Sequence, residues 1–243
     1  MRSSRSDFKA AGADALFAGS AGFAHRGLHR PAVPENSMAA FRAAIESDVG
    51  IECDVRLSKD RFPVIFHDDS LERLCGAAIA PERSYAEELF RFGLDGTDER
   101  IPWLGDLLEV VAGRVPILLE LKEGPGPVEH LCRAVESCLK RYAGPVGIMS
   151  FSPRVGAWFL GHAAHRRRGM IMSGRETFFE RWVQMLFVRP HFVAVSTEVI
   201  DQPWVRRARR RSLIACWTVR TPADRALAAT HADALIWEAD GRP

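Results

Sequence analysis

The chain has 243 residues, 47% hydrophobic and 26% charged, enough to bury one large core in a single domain. Its formal net charge of +2 is too small to imply a nucleic acid or other polyanionic partner. No apolar run approaches the roughly 20 residues of a membrane span, and five cysteines without a Cys-x-x-Cys pair read as reduced, buried thiols of a cytoplasmic protein.

Residues 1–19 read as an N-terminal tail or bottom cap. The apolar run at 10–17 is interrupted by Asp14 and makes a poor signal-peptide core. A first strand at 20–25 is small and apolar and ends at His25-Arg26-Gly27. Pro34-Glu35-Asn36-Ser37 follows, with Asn36 or Ser37 as N-cap of a helix whose Met38, Phe41 and Ile45 fall at helical spacing. The second strand, 51–56, carries Glu52 and Asp54. Alternation puts both carboxylates on one face and Cys53 on the other. A polar turn near Asp60 leads into a return strand at 63–66. The link is too short for a parallel crossover, so this strand runs antiparallel and brings His67 back beside Asp54. Two carboxylates and an imidazole at one spot serve both a hard divalent cation and a proton transfer, although a surface hairpin facing water would share the same short motif.

The stretch 68–115 is the longest between barrel strands and reads as an insertion over the pocket, with a helix-like run at 84–92. Leu104, Leu107, Leu108 and Val111 form one helical face stopped by Gly113. The strand 116–121 ends with Glu120 and Lys122 on one face. Lys122 is one of four lysines among 33 basic residues, and its compact ammonium suits a phosphoryl oxygen. Further strands at 146–150, 168–173, 192–196, 213–219 and 234–237 alternate with helices, two of them opened by Ser152-Pro153 and Thr221-Pro222. With the return strand set aside, eight βα units in about 220 residues make an α/β chain, a (β/α)8 TIM barrel with a small insertion after the second strand. That fold puts its site at the C-terminal strand ends, where His25, Asp54, Glu120, Lys122, Ser150 and Trp217 fall. The arginine runs at 166–168 and 206–211 read as solvated faces. Trp158, Phe159, Phe178, Phe179 and Trp182 read as outer helix packing, and Trp103, Trp217 and Trp237 as lying nearer the mouth.

His25-Arg26-Gly27, Pro34-Glu35-Asn36-Ser37, Glu52-x-Asp54, His67-Asp68 with Leu71 and Arg73, Ile101-Pro102, Glu120-x-Lys122, Ser150-Phe151 and Trp217-Thr218-Val219 occur in fixed order. In this the chain resembles the glycerophosphodiester phosphodiesterase family from about Gly22 onward. The resemblance implies a phosphoric diester hydrolase domain over 20–243. Such an enzyme releases glycerol 3-phosphate and an alcohol in phospholipid breakdown, with one divalent cation, Ca²⁺ or Mg²⁺. It implies Glu52, Asp54 and Glu120 as metal ligands, His25 and His67 as the acid/base pair, and Arg26 and Lys122 as phosphate holders. Glu35, Phe151, Trp217 and the insertion are expected to line the rest of the substrate pocket. Arg220 and Glu238 depart from the family pattern and are expected to tune the head group. Two other readings stay open: phospholipase-D-like or lyase action on lysophospholipid or sphingolipid, and a non-catalytic barrel that binds phosphorylated polyols. The oligomeric state stays open.

Overall fold

The structure, a computed structural model, describes residues 16–17 and 22–243. Strand β1 (Phe23–Ala24) leads through helix α1 (Met38–Glu46) to β2 (Gly50–Leu57). The hairpin partner β3 (Pro63–Ile65) is followed by two short helices, α2 (Glu72–Cys75) and α3 (Ala86–Leu89), and by α4 (Leu104–Val111). The chain continues through β4 (Ile117–Leu121), α5 (Val128–Leu139), β5 (Val146–Ser150), α6 (Pro153–His162) and β6 (Arg167–Met172). It ends with α7 (Phe178–Val188), β7 (Phe192–Ser196), α8 (Pro203–Ala208), β8 (Leu213–Val219), α9 (Pro222–His231) and β9 (Ala234–Trp237).

All strands except β3 run parallel, and pairing of β1 with both β2 and β9 closes them into an eight-stranded barrel. This is the (β/α)8 architecture that the strand spacing predicts. The hairpin is also as expected, with Val55 opposite Ile65 and Leu57 opposite Pro63. Local chemistry explains the helix starts. Ser37, Ser152 and Thr221 each cap a helix by accepting a backbone N–H, from Ala40, Arg154 and Asp224 respectively. The run at 84–92 is helical only at α3, and a 3₁₀ turn at Pro81–Arg83 precedes it.

Inside the barrel, Phe23, Leu118, Met149, Ile171, Phe192, Ala215 and Ile236 pack together with Leu16. Leu16 and Phe17 are the described part of the expected tail or cap; the rest of 1–19 lies outside the described residues. A larger cluster joins the outward strand faces to the helices. A third, built on Val64, Phe66, Leu71, Leu74, Leu89, Leu94 and Ile101, underlies the segment between β3 and α4.

Three expectations about the barrel's outer parts fail. Arg168 is buried and donates to the carbonyls of Val188 and Arg189, so it caps the end of α7. Arg166 is engaged by Glu136, so the first arginine run is no solvated face. Phe178, Phe179 and Trp182 are 70%, 66% and 52% exposed: α7 turns its apolar side outward. Trp103 meets Phe62 edge-on and lines an outer groove with Leu108 and Tyr142. Trp237 does stand at the mouth end of β9, next to His25, with its side chain buried.

Candidate active site

Side chains on a strand repeat every two residues, and the inward rows change character toward the strands' C-terminal ends. Phe23 is followed two residues on by His25, Leu118 by Glu120 and Lys122, Ala215 by Trp217, and Ile236 by Glu238. The apolar plug at the bottom thus gives way to a polar ring at the mouth. Register aligns both layers, with Asp54 opposite Glu120 in the ring and Phe23 opposite Ile236 in the plug.

The turn after β1 is shaped for this ring. Gly27 has φ +79°, and a Cβ there would lie 2.9 Å from the Ala40 methyl, so only glycine lets the turn sit against α1. Arg26 and Asn36 both hold φ +54°, a costly conformation for residues with side chains. The Asn36 N–H donates to the Arg26 carbonyl at 2.8 Å, which ties the two strained positions together.

Glu52, Asp54 and Glu120 converge, each offering an oxygen within 4.8 Å of the others'. All three are buried. The Glu52 carboxylate accepts the Arg26 N–H at 2.9 Å. Asp54 accepts from the Asn36 side chain at 2.9 Å and lies 3.1 Å from Lys122 Nζ and 3.5 Å from Arg26 Nε. Lys122 also reaches Glu120 at 2.5 Å. Burial and the neighbouring charges of Asp54 and Glu120 push the Glu52 carboxyl well up. Burial and Asp54 push Glu120 up to about 7 in spite of Lys122. Burial alone would raise Asp54 too, but Lys122, His67 and Arg26 hold it well below the usual carboxylate range. Three buried carboxylates with two of them raised are short of positive charge, and an all-oxygen donor set of this kind fits a hard divalent cation.

Around this centre, Arg26 Nη1 donates to Glu35 at 2.7 Å. Arg73 grips both oxygens of Glu35 and both of Asp68. His67 Nδ1 lies 2.6 Å from Asp68 Oδ1. Burial, together with Lys122 and Arg26, keeps the His67 imidazole below its ordinary value although Asp54 opposes this. His25 Nδ1 lies 2.5 Å from Glu238 Oε2. Phe151 and Trp217 meet edge to face at 5.6 Å, at the ends of β5 and β8. The structure therefore brings His25, Arg26, Glu35, Glu52, Asp54, His67, Glu120 and Lys122 to one end of the barrel, with Phe151 and Trp217 as an aromatic pair on its rim.

Sequence reading gave Asp68 and Arg73 no role beyond their motif, and it placed Glu238 and Arg220 at the head group. The structure sets Glu238 against His25, and Arg220 Nε donates to Glu238 at 2.6 Å. The one signal was that both positions lie at strand ends facing the mouth.

The family model for glycerophosphoryl diester phosphodiesterases matches residues 25–241, which takes in every one of these side chains. Among curated proteins, the chain is 34% identical over 125 residues to a glycerophosphodiester phosphodiesterase of Caldanaerobacter subterraneus, covering 46% of this chain and 51% of that protein. It is 35% identical over 128 residues to one of Bacillus altitudinis, covering 47% and 51%. These matches span about half the length of those relatives. Among solved structures, a phosphodiesterase of Oleispira antarctica in complex with the product sn-glycerol-3-phosphate shares the fold at TM-score 0.78 and 24% identity, over 89% of this chain and 91% of that one. With the motif residues gathered in one ring and the family model running across nearly the whole barrel, the chain belongs to the glycerophosphoryl diester phosphodiesterase family.

Proposed function

We propose that this chain hydrolyses glycerophosphodiesters to glycerol 3-phosphate and an alcohol, with a divalent cation, Ca²⁺ or Mg²⁺, held by Glu52, Asp54 and Glu120. The observation that carries the reading is the convergence of these carboxylates beside two histidines that each pair with a further carboxylate. Two histidines so arranged offer proton donors and acceptors that a mere polyol-binding barrel would not need. When bound, the cation supplies positive charge against the phosphoryl oxygens and lowers the cost of forming a nucleophilic oxygen. Arg26 and Lys122 add fixed positive charge in the same place, a preorganised contribution that water would have to reorient to match. One histidine accepts the proton of the nucleophile, either water or the neighbouring glycerol hydroxyl whose cyclic phosphate water then opens, and the other returns a proton to the departing alcohol.

Phospholipid breakdown is the role that this substrate class fits. The five cysteines are free thiols, which supports a reducing, cytoplasmic setting. No helix among the described residues is long and apolar enough to cross a membrane. The segment over 68–115 contributes to the pocket wall through Asp68 and Arg73, which reach His67 and Glu35.

The test is product analysis on glycerophosphocholine, glycerophosphoethanolamine and lysophosphatidylcholine, with and without added metal. Glycerol 3-phosphate from the two small diesters is the expected product. A cyclic phosphate as end product, or turnover of the lysolipid alone, would replace this reading by the lyase or phospholipase-D-like one.

We assign to Phe151 and Trp217, which meet edge to face, the contact with the glycerol or the leaving alcohol. Trp217→Ala is expected to raise KM for glycerophosphocholine about 10-fold, the low end of what a lost apolar contact costs in discrimination. Equal KM in variant and wild type would take Trp217 out of the pocket.

The metal-free protein should show the strain of its carboxylates in its pH dependence. A carboxyl raised to about 7 on folding holds its proton where the unfolded chain has lost it, so its ionisation opposes folding as pH rises from about 4.5 to about 7. Chelated wild type should therefore lose melting temperature across that window relative to Glu120→Gln, and Ca²⁺ or Mg²⁺ should reverse the loss. Parallel pH profiles for the two proteins would show that Glu120 is not under this stress.

A further inference from the structure

Glu238 reaches the site through the closure of the barrel. The pairing of Phe23 with Ile236 and the bond from His25 N–H to the Trp237 carbonyl, 2.8 Å, set the end of β9 beside the end of β1. Two residues past Ile236, Glu238 faces inward where His25 does. Its Oε2 lies 2.5 Å from His25 Nδ1 and 3.6 Å from His29 Nε2, and its Oε1 accepts from Arg220 Nε at 2.6 Å. The hydrogen bond with His25 and the nearby His29 hold its carboxyl far below the usual range.

The same construction occurs at the other histidine. His67 Nδ1 is engaged by Asp68 Oδ1, and Asp68 Oδ2 by Arg73 Nε, each at 2.6 Å. Two histidines from different parts of the barrel thus carry the same attachment, with a carboxylate on Nδ1 and an arginine behind the carboxylate. An ionised carboxylate only accepts, so Nδ1 must carry the hydrogen, which leaves Nε2 as the ring atom for proton transfer. Neither Nε2 has a hydrogen-bond partner among the described residues.

We propose that Glu238, held in place by Arg220, is a positioning residue for His25, fixing the imidazole with Nδ1 as donor and Nε2 toward the phosphodiester. This rests on the phosphodiesterase reading above and replaces the head-group role that its departure from the family pattern first suggests. A metal shared by His25, His29 and Glu238 is the competing use of these atoms, since they lie within 4.8 Å of one another. The Arg220 guanidinium on Glu238 already supplies the cation there, which disfavours a second one.

The experiment combines kinetics with ¹⁵N NMR of the His25 ring, on wild type, Glu238→Gln, His25→Ala and the double variant. Glu238→Gln is expected to lower kcat about 10–100-fold, the range seen when a partner that orients a functional histidine is lost. KM should stay within about twofold, and the loss should be the same for glycerophosphocholine and glycerophosphoethanolamine. In the His25→Ala background the second change should cost less than about twofold, because a residue that acts through His25 has nothing left to act on. The ring spectrum should show the Nδ1–H tautomer in wild type and its depletion in Glu238→Gln. Arg220→Lys should keep most activity and Arg220→Ala lose part of it. Full additivity with His25→Ala, a loss confined to KM, or a loss that depends on the head group would overturn the proposal. The NMR needs no turnover: wild type that releases no glycerol 3-phosphate but holds the Glu238-dependent tautomer refutes the phosphodiesterase reading alone. Should Glu238→Gln fail to fold, Glu238→Asp, which keeps the charge and withdraws the oxygen by one methylene, is read by the same criteria.

Discussion

Asp54→Asn is expected to lower kcat/KM for glycerophosphocholine by about 10³-fold, because several kcal/mol of transition-state charge stabilisation depend on the cation and each 1.4 kcal/mol is tenfold. Glu52→Gln and Glu120→Gln should fall in the same direction, and chelation of wild type should remove turnover until Ca²⁺ or Mg²⁺ is restored. Asp54 is the member with the largest expected effect. It is the carboxylate that Lys122, Arg26 and the Asn36 amide all address, and it stays ionised where its two neighbours are raised. Its amide would leave Lys122 with Glu120 alone and remove the carboxylate whose charged form its neighbours favour most, the form a hard cation needs. Calorimetric titration of the variant with each metal gives a reading that does not depend on turnover: affinity should drop with activity. Chelated wild type with undiminished rates, or an amide variant within tenfold of wild type, would end the case for a metal at these three residues.

Much of this centre was legible because it follows from period-two strands and short loops. Glu52 and Asp54 share a face by alternation, the β2–β3 hairpin fixes where His67 returns, and Glu120 and Lys122 repeat the same geometry on the neighbouring strand. What stayed hidden depends on contacts distant in the chain or on the direction in which an amphipathic face points. The Glu238–His25 pair spans 213 residues and exists only because the barrel closes β9 onto β1. Composition around Glu238 carries no trace of it. Arg168 read as solvated because it stands in a basic run, and only the β6–α7–β7 crossover shows that its guanidinium meets the end of α7. In α7 the spacing of Phe178, Phe179 and Trp182 gives a helix with one apolar side. Spacing does not say which side meets the barrel, and here the inward side is made by residues such as Val188.

His25→Ala and His67→Ala are each expected to lower kcat by about 10²–10⁴-fold, the usual contribution of a placed general acid or base. Their melting temperatures should change little, and the reason lies in the partners. Removing His25 leaves Glu238 with Arg220 and His29, and removing His67 leaves Asp68 with Nε and Nη2 of Arg73, so neither deletion orphans a carboxylate. A large activity loss with a small stability loss therefore separates a chemical role from a structural one. The pH profile at saturating metal then tells the two rings apart. His67 titrates below its ordinary value, so if it is the base, kcat/KM falls only as pH drops beneath about 6.5, and that acid limb disappears in His67→Ala. If it is the acid, the limb that disappears is the one on which rate falls with rising pH. A His67 variant that keeps both limbs, or either variant with near-normal kcat, would remove that residue from proton transfer.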